Sequence, residues 1–464
     1  MTAATASAIH LSPETPGSTH AELSRITDSS SSKASSLLQL NHDQNHIFFN
    51  PEGFHNHIAH QLLAMFALGA SPEELQRAYD DNSGYQRPLG KVNEANVKAF
   101  VEEEDGDSSN GTGAQKHFHD FEEYFQRRID EKGWQEVVKE ALFAGTERSE
   151  DLLIRMFGGF YHPIIHLGYG IEFSQPAIVA EALAQACVHD NWMKQFLIPL
   201  DPKHYTPATD SHPTPLAKLI NDIRSNTKLV NSPHESDGNK IRDGILVRAG
   251  DEMIAEAKKW WIPRNNNNRI TEQALQRCLA EMINTCVWFA GAAQRPDREV
   301  KFDFFYMHCV NLSVFYRALM SSSWIDLEDR GRLLEMKART DLALYVSRGS
   351  PGLKGDEIRN YVPRTSNGKL DSWEAIIARV TALPNDDGHA SKLIRALKGG
   401  EEVCVPLEKE LGEEEMPIRG DMWLKLANMA IDSVESGGPK WVRNVGWDSA
   451  WEEVPLRKDR ESRL

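Results

Sequence analysis

The chain predicts an all-α fold, a large single helical domain with long irregular loops, and three observations carry that reading. Apolar residues recur at three- and four-residue spacing through one segment after another. Helix-starting and helix-stopping residues punctuate those segments. No stretch shows a convincing apolar–polar alternation, and no repeat of fixed period is visible. With 464 residues, 40% of them hydrophobic and 26% charged, the chain is long enough to bury a sizeable core.

Taken in order, residues 1–38 are rich in Ser, Thr and Ala and are expected to stay disordered. A single helical domain is expected over 39–440, followed by a Trp-containing tail over 441–464. Asn50 and Pro51 read as the N-cap and first position of a helix that continues through FHNHIAHQLLAMFALG to Gly69, which would carry His55, His57 and His60 together. Ser71 and Glu74 form a capping box for the next helix. Residues 102–115 read as an acidic, solvated loop, and helices follow at 118–131, 135–147, 149–158 and 175–190. Loops at 201–214 and 231–240 flank a helix at 215–227. Further helices are expected at 249–261, 271–292, 302–321 and 327–347, then, after an irregular stretch over 348–372, at 373–382, 386–398 and 418–436. Trp441, Trp447 and Trp451 are expected to fold back onto the body.

Charge and cysteine usage exclude several classes. A net charge of −16 disfavours a nucleic-acid backbone or an anionic membrane surface as partner. The five scattered cysteines lack CxxC spacing, which points to a reducing compartment without a disulfide framework or a thiolate zinc site. No apolar run reaches membrane-spanning length. The N-terminus lacks the features of a secretory signal, so cytoplasmic location is the default. The terminal Ser462-Arg463-Leu464 resembles a peroxisomal address and gives peroxisomal import as the alternative.

The densest run of unusual residues is RMFGGFYHPIIHLGYGIEF, from Arg155 to Phe173. Pro163 suits a first helical turn and pushes the preceding residue out of the α region, placing His162 at or just outside an N-cap with His166 one turn on. A helix N-terminus disfavours imidazolium and so favours a neutral, ligand-competent ring. His308 lies on a helix that is aromatic nearly all round. His389 follows Asp386, Asp387 and Gly388, which look like a helix start, and Lys392 shares its face. Each histidine alone reads equally well as a hydrogen-bonded core residue. Together His57, His162, His308 and His389 come from four helices, the way bundle interiors assemble metal sites. Imidazoles without thiolates favour iron-type oxygen chemistry or hydrolysis over structural zinc.

The blocks HNHIAHQLLAMFALGA, GGFYHPIIHLGYGIEF, DFFYMH and DDGHASKLIRAL, in that order over about 40–440, resemble the questin oxidase-like family of fungal aromatic polyketide pathways. The resemblance implies oxidative opening of the central ring of an anthraquinone by dioxygen, formally Baeyer–Villiger-like, giving a benzophenone. NADPH use comes with it. Matching motif positions are His57, His162, His308, His389 and Lys392, with His60 and His166 as weaker members.

Chemistry sharpens these expectations. A flavin enzyme of this kind needs dinucleotide-binding glycine fingerprints; the chain has no GxGxxG, and flavin is not expected. An ammonium beside a dication is repelled, so Lys392 must be neutral, turned away, or converted by carbon dioxide to a carbamate ligand. The expected centre is therefore Fe(II) held by His57, His162, His308, His389 and carbamylated Lys392, with His60, His166 and Tyr169 as catalytic groups beside it. Lys392 paired with Asp386 or Asp387 is the plain alternative. Phe160, Tyr161, Tyr169, Phe304 and Phe305 could stack on a flat substrate or simply form core, and surface salt bridges are the plain expectation for Arg155 and Glu172. Three other functions compete: a metal-independent NADPH-using oxidase with acid–base histidines, a hydrolase with a histidine-rich metal site, and a non-enzymatic helical scaffold.

Overall fold

The structure, a computed structural model, describes residues 3–15, 26–102, 115–205, 212–364 and 368–457. Every regular element among the described residues is helical, and β-pairing is limited to isolated bridges. No described helix is long and apolar enough to cross a membrane. The Ser-Arg-Leu terminus and most of the acidic loop expected at 102–115 lie outside the described residues.

Two compact units divide the chain. The first holds Met1–Lys194, Phe315–Ile325 and Thr381–Arg395; the second holds Gln195–Val314, Asp326–Val380 and Ala396–Leu464. In the first, helices α1 (Asp28–Gln44), α2 (Ile58–Ala67), α3 (Pro72–Ser83), α4 (Glu94–Glu102), α5 (Phe118–Lys132), α6 (Trp134–Phe143), α7 (Glu147–Arg155), α8 (Gly158–Glu172) and α9 (Pro176–Cys187) follow one another. Helices α2 and α9 are buried along their whole length and α8 nearly so, because each is apolar on all sides. These three form the interior on which the histidines are mounted.

In the second unit the helix Leu327–Ser347 is buried from Arg330 to Ser347. Its charges are paired internally. Arg332 donates to Asp201 at 2.6 Å, Arg339 donates to the Leu200 carbonyl at 2.5 Å, and Lys337 pairs with Asp341. The tail packs on this unit: the Phe304 amide donates to the Val442 carbonyl at 2.8 Å, the Gly446 amide donates to the Arg348 carbonyl at 2.9 Å, and Trp451 is buried. All five cysteines are buried and unbridged.

Several sequence expectations are corrected. The N-terminal segment expected to be disordered is ordered over 3–15 and again from residue 26. Ala6, Ile9 and Leu11 are buried, the Ile9 amide donates to Gln39 Oε1, and α1 opens with a Thr27–Ser30 capping box. Its serines bond back to carbonyls one turn earlier, while Ala34, Leu37, Leu38 and Asn41 line one buried face. The helix expected from Pro51 opens only at Ile58. Asn50, Pro51, Glu52 and Gly53 instead close a tight turn, in which Gly53 has φ 83° and Asn50 Oδ1 accepts from the Phe54 amide at 2.9 Å. His55 therefore sits in a bridge with Phe48 rather than on the helix. Asn56 Oδ1 accepts from the Ile58 amide at 2.9 Å, just ahead of the helix, whose N-cap is His57. Finally, the loop expected at 231–240 is present, but the helix expected from residue 249 begins earlier, at Leu246, after a turn of π-helix at Lys240–Ile245.

Candidate metal centre

Three of the singled-out histidines converge in the first unit. His57 stands at the N-cap of α2, His162 lies in α8, and His389 opens the helix His389–Cys404. One ligand atom from each lies within 4.8 Å of the other two. His57 Nε2 and His162 Nε2 face each other at 2.7 Å, and the His57 and His389 rings meet edge to face with centroids 4.5 Å apart. Cis ligands at metal–nitrogen bonds of ~2.1 Å stand about 3 Å apart, so this spacing suits a shared ion.

Local backbone chemistry puts each ring there. Before His162 the chain passes through three consecutive left-handed residues, Gly159, Phe160 and Tyr161, with φ of 52°, 56° and 72°. Only glycine fits the first of these: a Cβ at Gly159 would come within 2.5 Å of the His189 ring and 2.9 Å of the His55 ring. The reversal points the Gly159 carbonyl at His162 Nδ1, 2.5 Å away, which fixes the tautomer and leaves Nε2 as a lone pair. His162 thus opens the helical segment that follows the kink in α8, with His166 one turn on. Across the site, Gly388, with φ 85°, packs so closely on Gln61 that a Cβ would meet it at 2.7 Å. Gln61 and Asn82 both donate to the Asp386 carbonyl, and the Asp386 carboxylate caps the helix by accepting from the Ala390 and Ser391 amides. Asp387 Oδ1 accepts from His389 Nδ1 at 2.6 Å, which again leaves Nε2 as the lone pair.

A second string of groups leads away from this site. Glu181 accepts from His166 Nε2 at 2.5 Å and from His42 Nδ1 at 2.5 Å. With His166 donating its Nε2–H to Glu181, its Nδ1 accepts from His60 Nε2, 3.1 Å away. His60 Nδ1 is then a lone pair, buried and without a hydrogen-bond partner among the described residues. Lys392 Nζ is in the same condition; neither Asp386 nor Asp387 hydrogen-bonds it. Buried polar atoms left without partners are rare, and two beside a three-histidine group suit a site built to take an ion or a small molecule.

Electrostatics agree with ligand-competent rings. Burial, then His389 and Lys392, push His57 well below the usual imidazole range. Burial, then Lys392 and His166, do the same to His60. Burial lowers Lys392 to about 8 against the raising effect of Asp387 and Asp386, so its neutral form is accessible near neutrality.

His308 belongs to the second unit, where its Nδ1 donates to the Phe304 carbonyl at 2.6 Å. Phe304 and Phe305 are in that unit too, under the guanidinium groups of Arg443 and Arg348. Tyr169 is buried between the rings of His60 and Phe315. Arg155 and Glu172 are not surface residues: Glu172 pairs with Arg395 in the interior, and buried Arg155 binds Asp151 and the His189 carbonyl. Sequence reading passed over His189, Glu181 and His42. His55 stacks on His162 at 3.7 Å and meets His189 Nε2 at 2.9 Å. The available signal for Glu181 was its place as the one charged residue of the apolar helix PAIVAEALAQAC.

Comparison with known proteins gives a consistent result. The family model described as questin oxidase-like matches residues 54–397. A Baeyer–Villiger monooxygenase of Cryptosporiopsis sp. is 42% identical over 442 residues, covering 94% of this chain and 96% of that protein. A Baeyer–Villiger oxidase of Pestalotiopsis fici is 38% identical, covering 98% of this chain and 100% of that protein. A questin oxidase of Aspergillus terreus is 38% identical, covering 97% and 98%.

Proposed function

The chain belongs to the questin oxidase-like family, and from that premise we propose that it is an oxidoreductase that opens the central ring of an anthraquinone with dioxygen, giving a benzophenone in fungal aromatic polyketide metabolism. The names of its relatives supply the reaction class, and the convergence of His57, His162 and His389 supplies the site. We assign Fe(II) to that site, with Lys392 as a carbamate completing the ligand set. Bound Fe(II) would supply the one-electron chemistry that lets dioxygen react with a closed-shell aromatic.

The chain's own residues do the rest. The Gly159 carbonyl and Asp387 hold His162 and His389 with Nε2 unprotonated. Glu181 and His166 orient His60, whose buried Nδ1 lone pair accepts a hydrogen bond from a substrate hydroxyl and so polarises it. Tyr169 walls the site behind His60. The hydroquinone form of the substrate supplies electrons, and NADPH serves to generate it. His308, from the second unit, enters this scheme only through its own variant: loss of iron in His308→Ala adds it to the ligand set.

Protein purified without chelator should contain iron, consume oxygen with a reduced anthraquinone, and yield a product whose mass shows ring opening. Chelation should stop the reaction and Fe(II) restore it. Full activity of iron-free protein with NADPH would replace this scheme by a metal-independent oxidase. Nuclear magnetic resonance with ¹³C-bicarbonate should show a carbamate that disappears in Lys392→Ala.

A further inference from the structure

We propose that His42, Glu122 and Glu181 form a second divalent-cation site, separate from the three-histidine group. The three residues come from α1, α5 and α9, and one ligand atom of each lies within 4.8 Å of the others. His42 Nδ1 is 2.5 Å from Glu181 Oε1 and 3.4 Å from Glu122 Oε1. The sequence places both carboxylates against its own pattern. Glu122 shares the buried face of α5 with Phe118, Phe121 and Phe125, and Glu181 is the one charged residue of α9.

Burying a carboxylate is expensive unless it is paired and hydrogen-bonded. Glu181 is fully provided for, by His42 on one oxygen and His166 on the other. Glu122 is not: its Oε2 is buried with no hydrogen-bond partner among the described residues, although the residue is only 2% exposed. Gln126 Nε2 donates to His42 Nε2 at 3.1 Å, so without a metal His42 Nδ1 carries a proton toward both carboxylates. A cation among the three atoms displaces that proton and gives Glu122 a partner. One imidazole and two carboxylates suit a borderline first-row dication such as Mn(II), Fe(II) or Zn(II), and disfavour Cu(I). Glu181, His166 and His60 join the two sites by hydrogen bonds, so an ion here would also polarise the group that orients His60.

The proposal is independent of what the three-histidine group holds. Zn(II) is titrated, in the presence of a weak competing chelator, into chelator-treated full-length chain carrying His57→Ala and His162→Ala, and bound metal is counted after gel filtration. One equivalent should remain, and adding Glu122→Gln should remove it. Failure of the first variant to hold any Zn(II), or equal binding after Glu122→Gln, overturns the second site. If the iron assignment fails instead, wild type holds one equivalent that His57→Ala and His162→Ala leave in place and Glu122→Gln removes. Circular dichroism checks folding of each variant. Should Glu122→Gln unfold, His42→Gln in the same background reads the same loss.

Discussion

Two histidine clusters in the first unit differ in the company their rings keep. Around His57, His162 and His389 the carboxylate of Asp387 grips the far nitrogen of His389. Around His42 there are two carboxylates on the near nitrogen. Burial alone pushes an imidazole toward neutrality, and so it does at His57 and His60. At His42 burial also pulls downward, but Glu122 and Glu181 overcome it and lift the ring to about 9. The same residue type is thus a lone-pair donor in one place and, without a metal, a cation in the other. Carboxylate company, rather than burial, decides which.

The largest effect expected from breaking the first cluster is on chemistry. His162→Ala removes a ring that the left-handed turn exists to aim, so ring opening should fall at least ~10³-fold with loss of iron, while the melting temperature changes little. Retained iron and activity would show that the convergence of the three rings is not the reacting centre. Lys392→Ala should fall as far if the lysine is a ligand, and only a few-fold if it merely tunes charge.

Breaking the second cluster should register first as stability. In chelated protein, Glu181→Gln leaves an imidazolium without its carboxylate and weakens the hold on His166. The expected loss is about 3–5 kcal/mol by urea denaturation. Glu122→Gln should cost far less, since its second oxygen binds no described residue. Equal losses at the two positions would mean that the carboxylates share His42 evenly, contrary to the distances.

How much of this contrast could be read from the sequence follows from which interactions are local. The helices were legible because apolar spacing and caps act within a few residues; Ser71 and Glu74 make their capping box as expected. His57, His162, His389 and Lys392 were legible as candidates through motif and context. Their convergence was not, because it depends on turns such as that at Asn50, where one set of residues encodes a turn or a helix start equally well. The ordered N-terminus was hidden by composition: a serine-rich run reads as solvated, although its serines satisfy their hydroxyls on the helix's own carbonyls. His42 and Glu122 escaped because a charged residue on an otherwise apolar face looks like noise until its partners from two other helices are seen.

A third buried imidazole tests the rule about company. His46 has no carboxylate; its Nε2 donates to the Gln115 carbonyl, its Nδ1 accepts from the Phe48 amide, and burial lowers it to about 4. Its folded value lies below the unfolded one near 6.5. The unfolded chain therefore takes up the proton first, and the stability His46 contributes is present above pH 6.5 and lost as pH falls toward 4. Up to about 3 kcal/mol of acid sensitivity follows. His46→Gln should flatten the dependence of unfolding free energy on pH in that window. An unchanged slope would mean that burial does not hold this ring neutral.

The smallest expected effect concerns the turn that aims His162. Phe160 is 36% exposed and sits at φ 56°, a conformation that costs an L-residue roughly 1–2 kcal/mol. Phe160→Gly removes that strain but gives the unfolded chain more freedom, an offset of about 0.5–1 kcal/mol. The net gain in stability should then lie between zero and about 1.5 kcal/mol. If the strain serves only to place the Gly159 carbonyl on His162, the relaxed variant should hold iron a few-fold more weakly while melting no lower. Unchanged iron affinity together with higher stability would mean that the neighbouring His55 and His189, packed against Gly159, suffice to hold the ring in place.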